Sequence, residues 1–153
     1  MFDIPHDQLC RNKQLSEVSG SWTKVKPIDP REIIVYRQWG SYKVLHEGEG
    51  YTVKELTILP GKSMSDQRHF NRDEHWFLVR GTLMIDLQSR QFSGSPYKVL
   101  LTVNDKDTAH TLCDWTIARK TWHRPYNEGK EPVVVIETWI GNSSEEDIER
   151  RNQ

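Results

Sequence analysis

The chain has 153 residues, a length that suits one domain with a substantial core. Its 21 Lys and Arg residues against 22 Asp and Glu give a net charge of −1, so charge gives no reason to expect nucleic acid or an anionic membrane as partner. No apolar run approaches the roughly 20 residues of a membrane span, and no signal peptide is visible. Two cysteines without metal-type spacing, Cys10 and Cys113, are expected to be free thiols in a reducing compartment, which predicts a cytoplasmic protein.

Residues 1–30 show no periodicity and are interrupted by Pro5, Pro27 and Pro30. We expect an extended N-terminal arm that packs against the body or against another copy of the chain. The remaining residues, 31–153, contain no linker or internal repeat and are expected to form a single domain.

From residue 31 onward the sequence predicts short β-strands separated by turn signals. Residues 41–61 predict two strands around the turn at Gly48-Glu49-Gly50. Residues 64–69 and 74–79 predict the next pair, joined through 70–73. Further strands are expected over 82–87, 97–103, 108–117, 121–126 and 132–140.

The C-terminal residues predict a different element. Ser144 followed by Asp147 resembles a helix capping box, so a short terminal helix is expected there. Many short strands with regular turns and almost no helical periodicity otherwise indicate an all-β sandwich or barrel.

The alternation of side chains along a strand sorts the chemically active residues by face. Gln67 and His69 share a face, and Glu74 can point to the same interior above Trp76 and Leu78. Neighbouring strands can add two more charges to that interior. The lysine is Lys54, which shares a face with Leu56 and Ile58. The carboxylate is Glu137, which shares a face with Val135 and Trp139 and is costly to bury unless it is paired or serves a site.

Four side chains are candidate metal ligands: Gln67, His69, Glu74 and the distant His123. Imidazole, carboxylate and amide oxygen suit Zn²⁺, Mn²⁺, Fe²⁺, Co²⁺ or Ni²⁺, with zinc as the first expectation. The alternative is that His69 and Glu74 form a solvated surface pair and that His123 is an ordinary strand histidine.

The spacing of these residues resembles two known motifs. Gly61, Gln67-x-His69, Glu74 and Gly81 are spaced as in the first cupin motif, with Gln in place of its first His. Ala118-x-Lys120-x-x-His123-x-x-x-Asn127 resembles the second motif, with Ala118 and Lys120 in place of a proline and a glycine.

Within the cupins, residues 67–82 (QRHFNRDEHWFLVRGT) resemble the signature of type II phosphomannose isomerases. Further matches to that family follow in order along the chain: Arg37-x-Trp39-Gly40, Gly50-Tyr51-x-Val53-Lys54, Leu59-Pro60-Gly61, Ile136-Glu137 and Glu145-Glu146-Asp147-Ile148-x-Arg150. Trp139 stands where the family usually has Gln.

The resemblance implies a double-stranded β-helix, the cupin or jelly-roll barrel, and a metal-dependent interconversion of mannose 6-phosphate and fructose 6-phosphate for polysaccharide precursors. For such a reaction the candidate bases are Glu137, whose pKa an apolar strand would raise, and Lys54. Arg150 is the candidate phosphate ligand, because a guanidinium suits phosphate oxygens, and the alternative is a solvent-exposed tail arginine. Lys54 and Trp139 are also expected to bound the substrate cavity. Arg72 and His75 are expected to be structural or rim groups. Guanylyltransferase activity, which the family carries on a preceding domain, is not expected because no glycine-rich nucleotide loop is found.

Two other functions remain open at this point. One is a cupin that binds a sugar or sugar nucleotide without turnover, and the other is a cupin dioxygenase, which Gln67 in place of a histidine disfavours. The expected partners are a small sugar phosphate and a second copy of the chain, since cupins often cover sheet edges by pairing into homodimers.

Overall fold

The computed structural model describes residues 33–88, 94–103, 112–142 and 144–151. The predicted arm at 1–30 lies outside these residues. Within them the chain forms β-strands and no helix. The strands are β1 (Val35–Arg37), β2 (Gly40–Gly48), β3 (Tyr51–Ile58), β4 (Asp66–Arg68), β5 (Asp73–Arg80), β6 (Thr82–Gln88), β7 (Pro96–Thr102), β8 (Asp114–Ile117), β9 (Trp122–Tyr126), β10 (Val133–Ile140) and β11 (Glu149–Arg151).

The strands form two antiparallel sheets. One has six strands in the order β1-β2-β3-β10-β5-β8, and the other has five in the order β11-β4-β9-β6-β7. Strands that are neighbours in a sheet are often far apart in the chain, as in a jelly roll. The core lies between the sheets and draws on both: Leu56, Ile58, Trp76, Leu78, Val133 and Val135 come from the first, and Leu83, Ile85, Leu87, Val99 and Leu101 from the second. This confirms the predicted all-β fold.

The predicted hairpin around Gly48-Glu49-Gly50 is confirmed. Strands β2 and β3 pair antiparallel, and Gly48 faces Tyr51 at the turn. Gly50 has φ +77°, a conformation that glycine adopts without steric cost.

The predicted pairing of residues 64–69 with 74–79 is wrong, although both strands exist. β4 pairs with β9 and β11, whereas β5 pairs with β10 and β8. The connection at 69–72 therefore crosses from one sheet to the other instead of closing a hairpin. As a result, side chains of β4 and β5 face each other across the interior of the barrel.

The predicted C-terminal helix is also wrong. Residues 145 and 146 form a turn, and the chain continues into β11, which pairs with β4. Asp147, which the capping box would place in a helix, instead contacts a distant part of the chain. Its carboxylate accepts hydrogen bonds from the backbone N–H groups of Phe70 and Asn71, at 3.0 and 2.9 Å. These tertiary contacts replace the local contacts of a capping box.

The predicted inward faces agree with the structure. Lys54, Glu74 and Glu137 are buried together with the apolar residues on their own strand faces. On the opposite face of β5, Phe77 and Val79 are exposed.

Two further findings concern compartment and membrane. The thiol of Cys113 is free, whereas Cys10 lies outside the described residues. Among the residues described, no helix has the length and apolar character that crossing a membrane requires.

Candidate metal centre

The structure brings the four predicted ligands together in the interior. Gln67 lies in β4 directly opposite His123 in β9, His69 follows β4, and Glu74 is the second residue of β5. All four are at most 4% exposed. The alternative of a solvated surface pair is therefore excluded for His69 and Glu74.

The Glu74 carboxylate bridges the two imidazoles. Its Oε1 lies 3.0 Å from His69 Nε2, and its Oε2 lies 3.2 Å from His123 Nε2. One donor atom from each of these three residues lies within 4.8 Å of the others. Ligands about 2.1 Å from a tetrahedral zinc ion are about 3.4 Å apart, so small movements would place all three around one ion. The cluster fits a divalent metal in ligand chemistry and in spacing.

Both imidazoles are held with Nε2 towards the interior. His69 Nδ1 donates to the backbone carbonyl of Asp147, and His123 Nδ1 donates to the carbonyl of Thr121 at 3.0 Å. Because a carbonyl only accepts, each contact places a proton on Nδ1 and turns Nε2 towards Glu74, where this nitrogen can bind a metal ion once it carries no proton. Metal-binding histidines are commonly fixed in this way.

Gln67 completes the cluster with an amide. Its Nε2 lies 3.5 Å from His123 Nε2, and its Oε1 accepts a hydrogen bond from Ser65 Oγ at 3.0 Å. Ligation through the amide oxygen requires the opposite amide orientation, in which Nε2 donates to Ser65.

Arg72 was predicted to be a structural or rim group. It is 3% exposed, which excludes the rim, and it reaches into the cluster. Its Nε donates to Glu74 Oε1 at 2.9 Å, and an Nη atom lies 3.1 Å from His69 Nε2. The guanidinium thus contacts donor atoms that a metal ion would use.

His75, by contrast, is on the outer face and contacts Asp114 at 2.9 Å, as a rim group would.

The two buried carboxyl groups differ in acidity. Burial alone would raise the pKa of Glu74, but hydrogen bonds from His123 and His69 outweigh it and hold that pKa well below its usual value. Burial, together with the nearby Glu74 charge, raises the pKa of Glu137 to about 8. Glu74 is thus ionised at neutral pH, whereas Glu137 titrates near pH 8.

Glu137 and Lys54 face each other across β10 and β3. The Lys54 ammonium forms an ion pair with Glu145 and lies 3.3 Å from the centre of the Trp139 ring. The Arg72 guanidinium lies 3.5 Å from the same ring centre. The indole thus packs against two cations, Lys54 and Arg72.

The indole N–H of Trp139 has no hydrogen-bond partner. Among the described residues it is the one buried side-chain nitrogen or oxygen without a hydrogen-bond partner. Trp139 also lines the cavity described next, which places this unpaired donor in a residue of the cavity wall.

A cavity of about 550 Å³ leads to the cluster. Gln67 and Glu137 line its inner part together with Lys54, and Arg150 also lines it. The predicted substrate-binding residues thus share one cavity with one of the predicted metal ligands.

Sequence reasoning missed the contacts made by the C-terminal segment 144–148. Ser144 accepts a hydrogen bond from Arg72 through its carbonyl, Glu145 pairs with Lys54, and Asp147 contacts His69. The acidic run Glu145-Glu146-Asp147 was visible as a motif, but its partners lie more than 70 positions away in the chain.

Comparisons with known proteins agree with this geometry. The family described as "Mannose-6-phosphate isomerase C-terminal" matches residues 30–153. Alginate biosynthesis protein AlgA of Pseudomonas putida is 34% identical over 142 residues, covering 88% of this chain and 26% of the relative. Xanthan biosynthesis protein XanB of Xanthomonas campestris is 34% identical over 117 residues, covering 76% of this chain and 22% of the relative. The chain thus spans about a quarter of the length of these relatives.

Solved structures agree on the fold. An X-ray structure of a Shewanella oneidensis protein superposes with a TM-score of 0.65 and 15% identity, covering 78% of each chain. The capsular polysaccharide assembling protein CapF of Staphylococcus aureus superposes with a TM-score of 0.64 and 16% identity, covering 79% of this chain and 34% of that one.

The family match, the curated relatives and the two-sheet barrel together show that this chain has a cupin fold and belongs to the mannose-6-phosphate isomerase C-terminal family.

Proposed function

We propose that the protein is a metal-dependent isomerase that interconverts mannose 6-phosphate and fructose 6-phosphate, in the cytoplasm, for polysaccharide precursor synthesis. The observation that carries the proposal is the pairing of a buried His69–Glu74–His123 cluster with a second buried carboxyl, Glu137, whose pKa is raised to about 8. Family membership supports a sugar phosphate as substrate, and the cavity has room for a hexose phosphate.

Glu137 is the proposed base. Aldose–ketose isomerisation moves one proton from C2 to C1 and one from O2 to O1, without a change in composition. A group that exchanges a proton near neutral pH suits this step, because it can both accept and return the proton. Burial and the negative charge of Glu74 raise the pKa of Glu137, whereas the positive charges of Lys54 and Arg72 lower it. The resulting pKa of about 8 lets this carboxyl both accept and return a proton near neutral pH.

Gln67, His69, Glu74 and His123 would hold the divalent ion, for which zinc is the first candidate and Mn²⁺, Fe²⁺, Co²⁺ and Ni²⁺ are alternatives. Such an ion would stabilise the negative charge that develops on the sugar oxygens.

Lys54 is assigned a binding role and not that of the base. Its ammonium is already paired with Glu145 and packed on Trp139, so it serves to fix charge in the cavity. Arg150 on β11 is the proposed phosphate ligand, since guanidinium groups suit phosphate oxygens.

One observation favours a second candidate, a module that binds a sugar phosphate without turnover. The Arg72 guanidinium contacts Glu74 and His69 at donor atoms that a metal ion would use. If Arg72 keeps these contacts, it supplies positive charge in place of a metal, and no isomerisation is expected.

The test is an assay of fructose 6-phosphate formed from mannose 6-phosphate, with protein loaded with zinc, manganese or cobalt. The proposal predicts turnover that is lost in His69→Ala and Glu137→Gln. The control is Glu55→Gln, which changes an outer-face carboxylate that pairs with Lys43 at 3.1 Å. Saturable binding of mannose 6-phosphate without turnover under any of these metals would establish the second candidate instead.

We also propose that the protein is a homodimer. The outer face of the six-stranded sheet exposes Phe77, Val79 and Ile140 on the adjacent strands β5 and β10, and a second copy would cover such a face. Multi-angle light scattering should give twice the chain mass, and a monomer at micromolar concentration would contradict the proposal.

A further inference from the structure

We propose that Arg37, which sequence reasoning did not assign to the site, binds the phosphate of the ligand together with Arg150. The sugar would then lie with its carbonyl end towards Gln67 and Glu137. The identity of the sugar rests on the proposed function, whereas the anion site is argued from the charges of the cavity alone.

The two arginines lie on different sheets. Arg37 is the last residue of β1, the edge strand of the six-stranded sheet, and Arg150 is the middle residue of β11, the edge strand of the five-stranded sheet. Both are exposed, and both line the cavity that leads to the cluster. A ligand in this cavity can therefore contact one arginine from each sheet.

The positive charges that line the cavity are not equally available. Lys54 is paired with Glu145, and Arg124 is paired with Asp86 at 2.6 Å. Across the parts of the chain that the structure describes, Arg37 and Arg150 have no carboxylate within ion-pair distance.

The carboxyl groups of the cavity do not supply the missing partners. Asp66 pairs with Arg151 at 2.7 Å, and Glu145 pairs with Lys54. Glu137 faces Lys54 in the barrel interior. Two arginines without a carboxylate partner remain, and their combined charge matches that of a phosphate monoester near neutral pH.

Arg37 is also oriented before any ligand binds. One Nη donates to the Tyr36 carbonyl at 3.1 Å, and the other donates to the Tyr42 hydroxyl at 3.4 Å. The guanidinium carbon lies 5.4 Å from the centre of the Tyr42 ring, and Tyr42 lines the same cavity. Tyr42 is thus a positioning residue for Arg37, and the remaining N–H groups of the guanidinium stay available to phosphate oxygens.

This arrangement defines a substrate class. A phosphate bound by Arg37 and Arg150 must be at the end of the sugar away from the carbons that react near Glu137. Hexose 6-phosphates meet this requirement. Unphosphorylated hexoses lack the anion, and hexose 1-phosphates carry it beside the reacting carbon.

The experiment combines two readouts on zinc-loaded full-length protein. Nitrogen-15 NMR follows the arginine side-chain signals during titration with inorganic phosphate, and steady-state kinetics give KM and kcat for mannose 6-phosphate. The variants are Arg37→Gln and Arg150→Gln. Arg80→Gln is the charge-matched control, because Arg80 is exposed at the end of β5 and does not line the cavity.

Phosphate should shift the Arg37 and Arg150 signals, and each Gln variant should raise KM roughly 10- to 100-fold while kcat changes less than KM. Arg80→Gln should match the wild type. Unshifted Arg37 signals, or turnover with an unchanged KM in Arg37→Gln, would overturn the inference while leaving the isomerase intact. Shifted signals in a protein without turnover would support the anion site and refute the isomerase.

Discussion

The backbone carbonyl of Asp147 accepts a hydrogen bond from Nδ1 of His69, which joins the C-terminal segment to the candidate metal centre. The Asp147 carboxylate fixes this carbonyl in place by accepting the N–H groups of Phe70 and Asn71, which directly follow His69. The orientation of His69, a candidate metal ligand, thus depends on a residue 78 positions later in the chain.

Asp147→Ala should weaken metal binding. The backbone carbonyl remains in this variant, but without the carboxylate the segment is no longer anchored to residues 70 and 71, and the orientation of His69 is lost. Contacts of this kind affect metal affinity about 10- to 100-fold. Zinc affinity measured by competition with a chromophoric chelator should fall by at least about 10-fold.

The matched control for that experiment is Asp114→Ala, because Asp114 pairs with the outer-face residue His75. Equal zinc affinities in the wild type and Asp147→Ala would show that the segment does not orient His69.

Glu137→Gln should change the pH dependence of stability in the metal-free protein. Folding raises the pKa of Glu137 from an ordinary 4.5 to about 8, so the folded state retains a proton that the unfolded state releases. The stability that this group contributes is complete below about pH 4.5 and is lost progressively as pH rises to about 8. The amide cannot ionise and so avoids this loss.

Urea unfolding from pH 5 to pH 9 tests the point. The difference in free energy of unfolding between Glu137→Gln and the wild type should increase by about 2 to 4 kcal/mol towards high pH. Glu74, whose pKa is lowered, stays ionised across this pH range in both folded proteins, so its own titration adds little to the difference. Glu49→Gln, in the exposed turn after β2, serves as control, and a difference independent of pH for Glu137→Gln would contradict the raised pKa.

Lys120→Gly should stabilise the protein. Lys120 has φ +66°, and among the described residues it is the one non-glycine with positive φ. It stands where the resembled cupin motif has a glycine. A side chain in this conformation costs about 1–2 kcal/mol, of which glycine's greater freedom in the unfolded state offsets about 0.5–1 kcal/mol.

Thermal and urea unfolding should therefore show a gain of about 0.5–1 kcal/mol for Lys120→Gly. Lys120→Ala keeps a Cβ atom at the same φ, so it should show no gain. If the alanine variant were as stable as the glycine variant, backbone strain at this position would not be the cause.

Trp139→Phe should weaken binding of mannose 6-phosphate. The phenyl ring can still pack against Lys54 and Arg72, but the indole N–H, which has no partner in the described structure, is removed. If that group donates to a sugar oxygen, its loss should raise the dissociation constant roughly 3- to 10-fold. Isothermal titration calorimetry with Trp115→Phe as control measures this, since Trp115 packs on the core and does not line the cavity. Unchanged affinity in Trp139→Phe would assign the ring a packing role alone.

The sequence predicted what depends on short-range patterns. Alternation along β3, β5 and β10 correctly gave the inward faces of Lys54, Glu74 and Glu137, because successive side chains of a strand point to opposite faces. The turn at Gly48-Glu49-Gly50 was predictable from its glycines for the same local reason.

Long-range features could not be predicted. Whether residues 70–73 close a hairpin or cross between sheets depends on competition among distant strands, and β4 pairs with β9 and β11 instead of β5. The choice between a structural and a rim position for Arg72 stayed open for the same reason, since its burial depends on contacts with the distant Trp139 and Ser144. The capping-box reading failed because Asp147 satisfies backbone groups in another part of the chain.

The central claim is that His69, Glu74 and His123, with Gln67, hold one divalent metal ion. Calorimetric titration of the metal-free protein with zinc tests this most directly. We predict one tightly bound ion per chain in the wild type, and affinity at least about 100-fold weaker in His123→Ala, which removes a direct ligand. An unchanged stoichiometry and affinity in His123→Ala, or the absence of zinc binding by the wild type, would contradict the account.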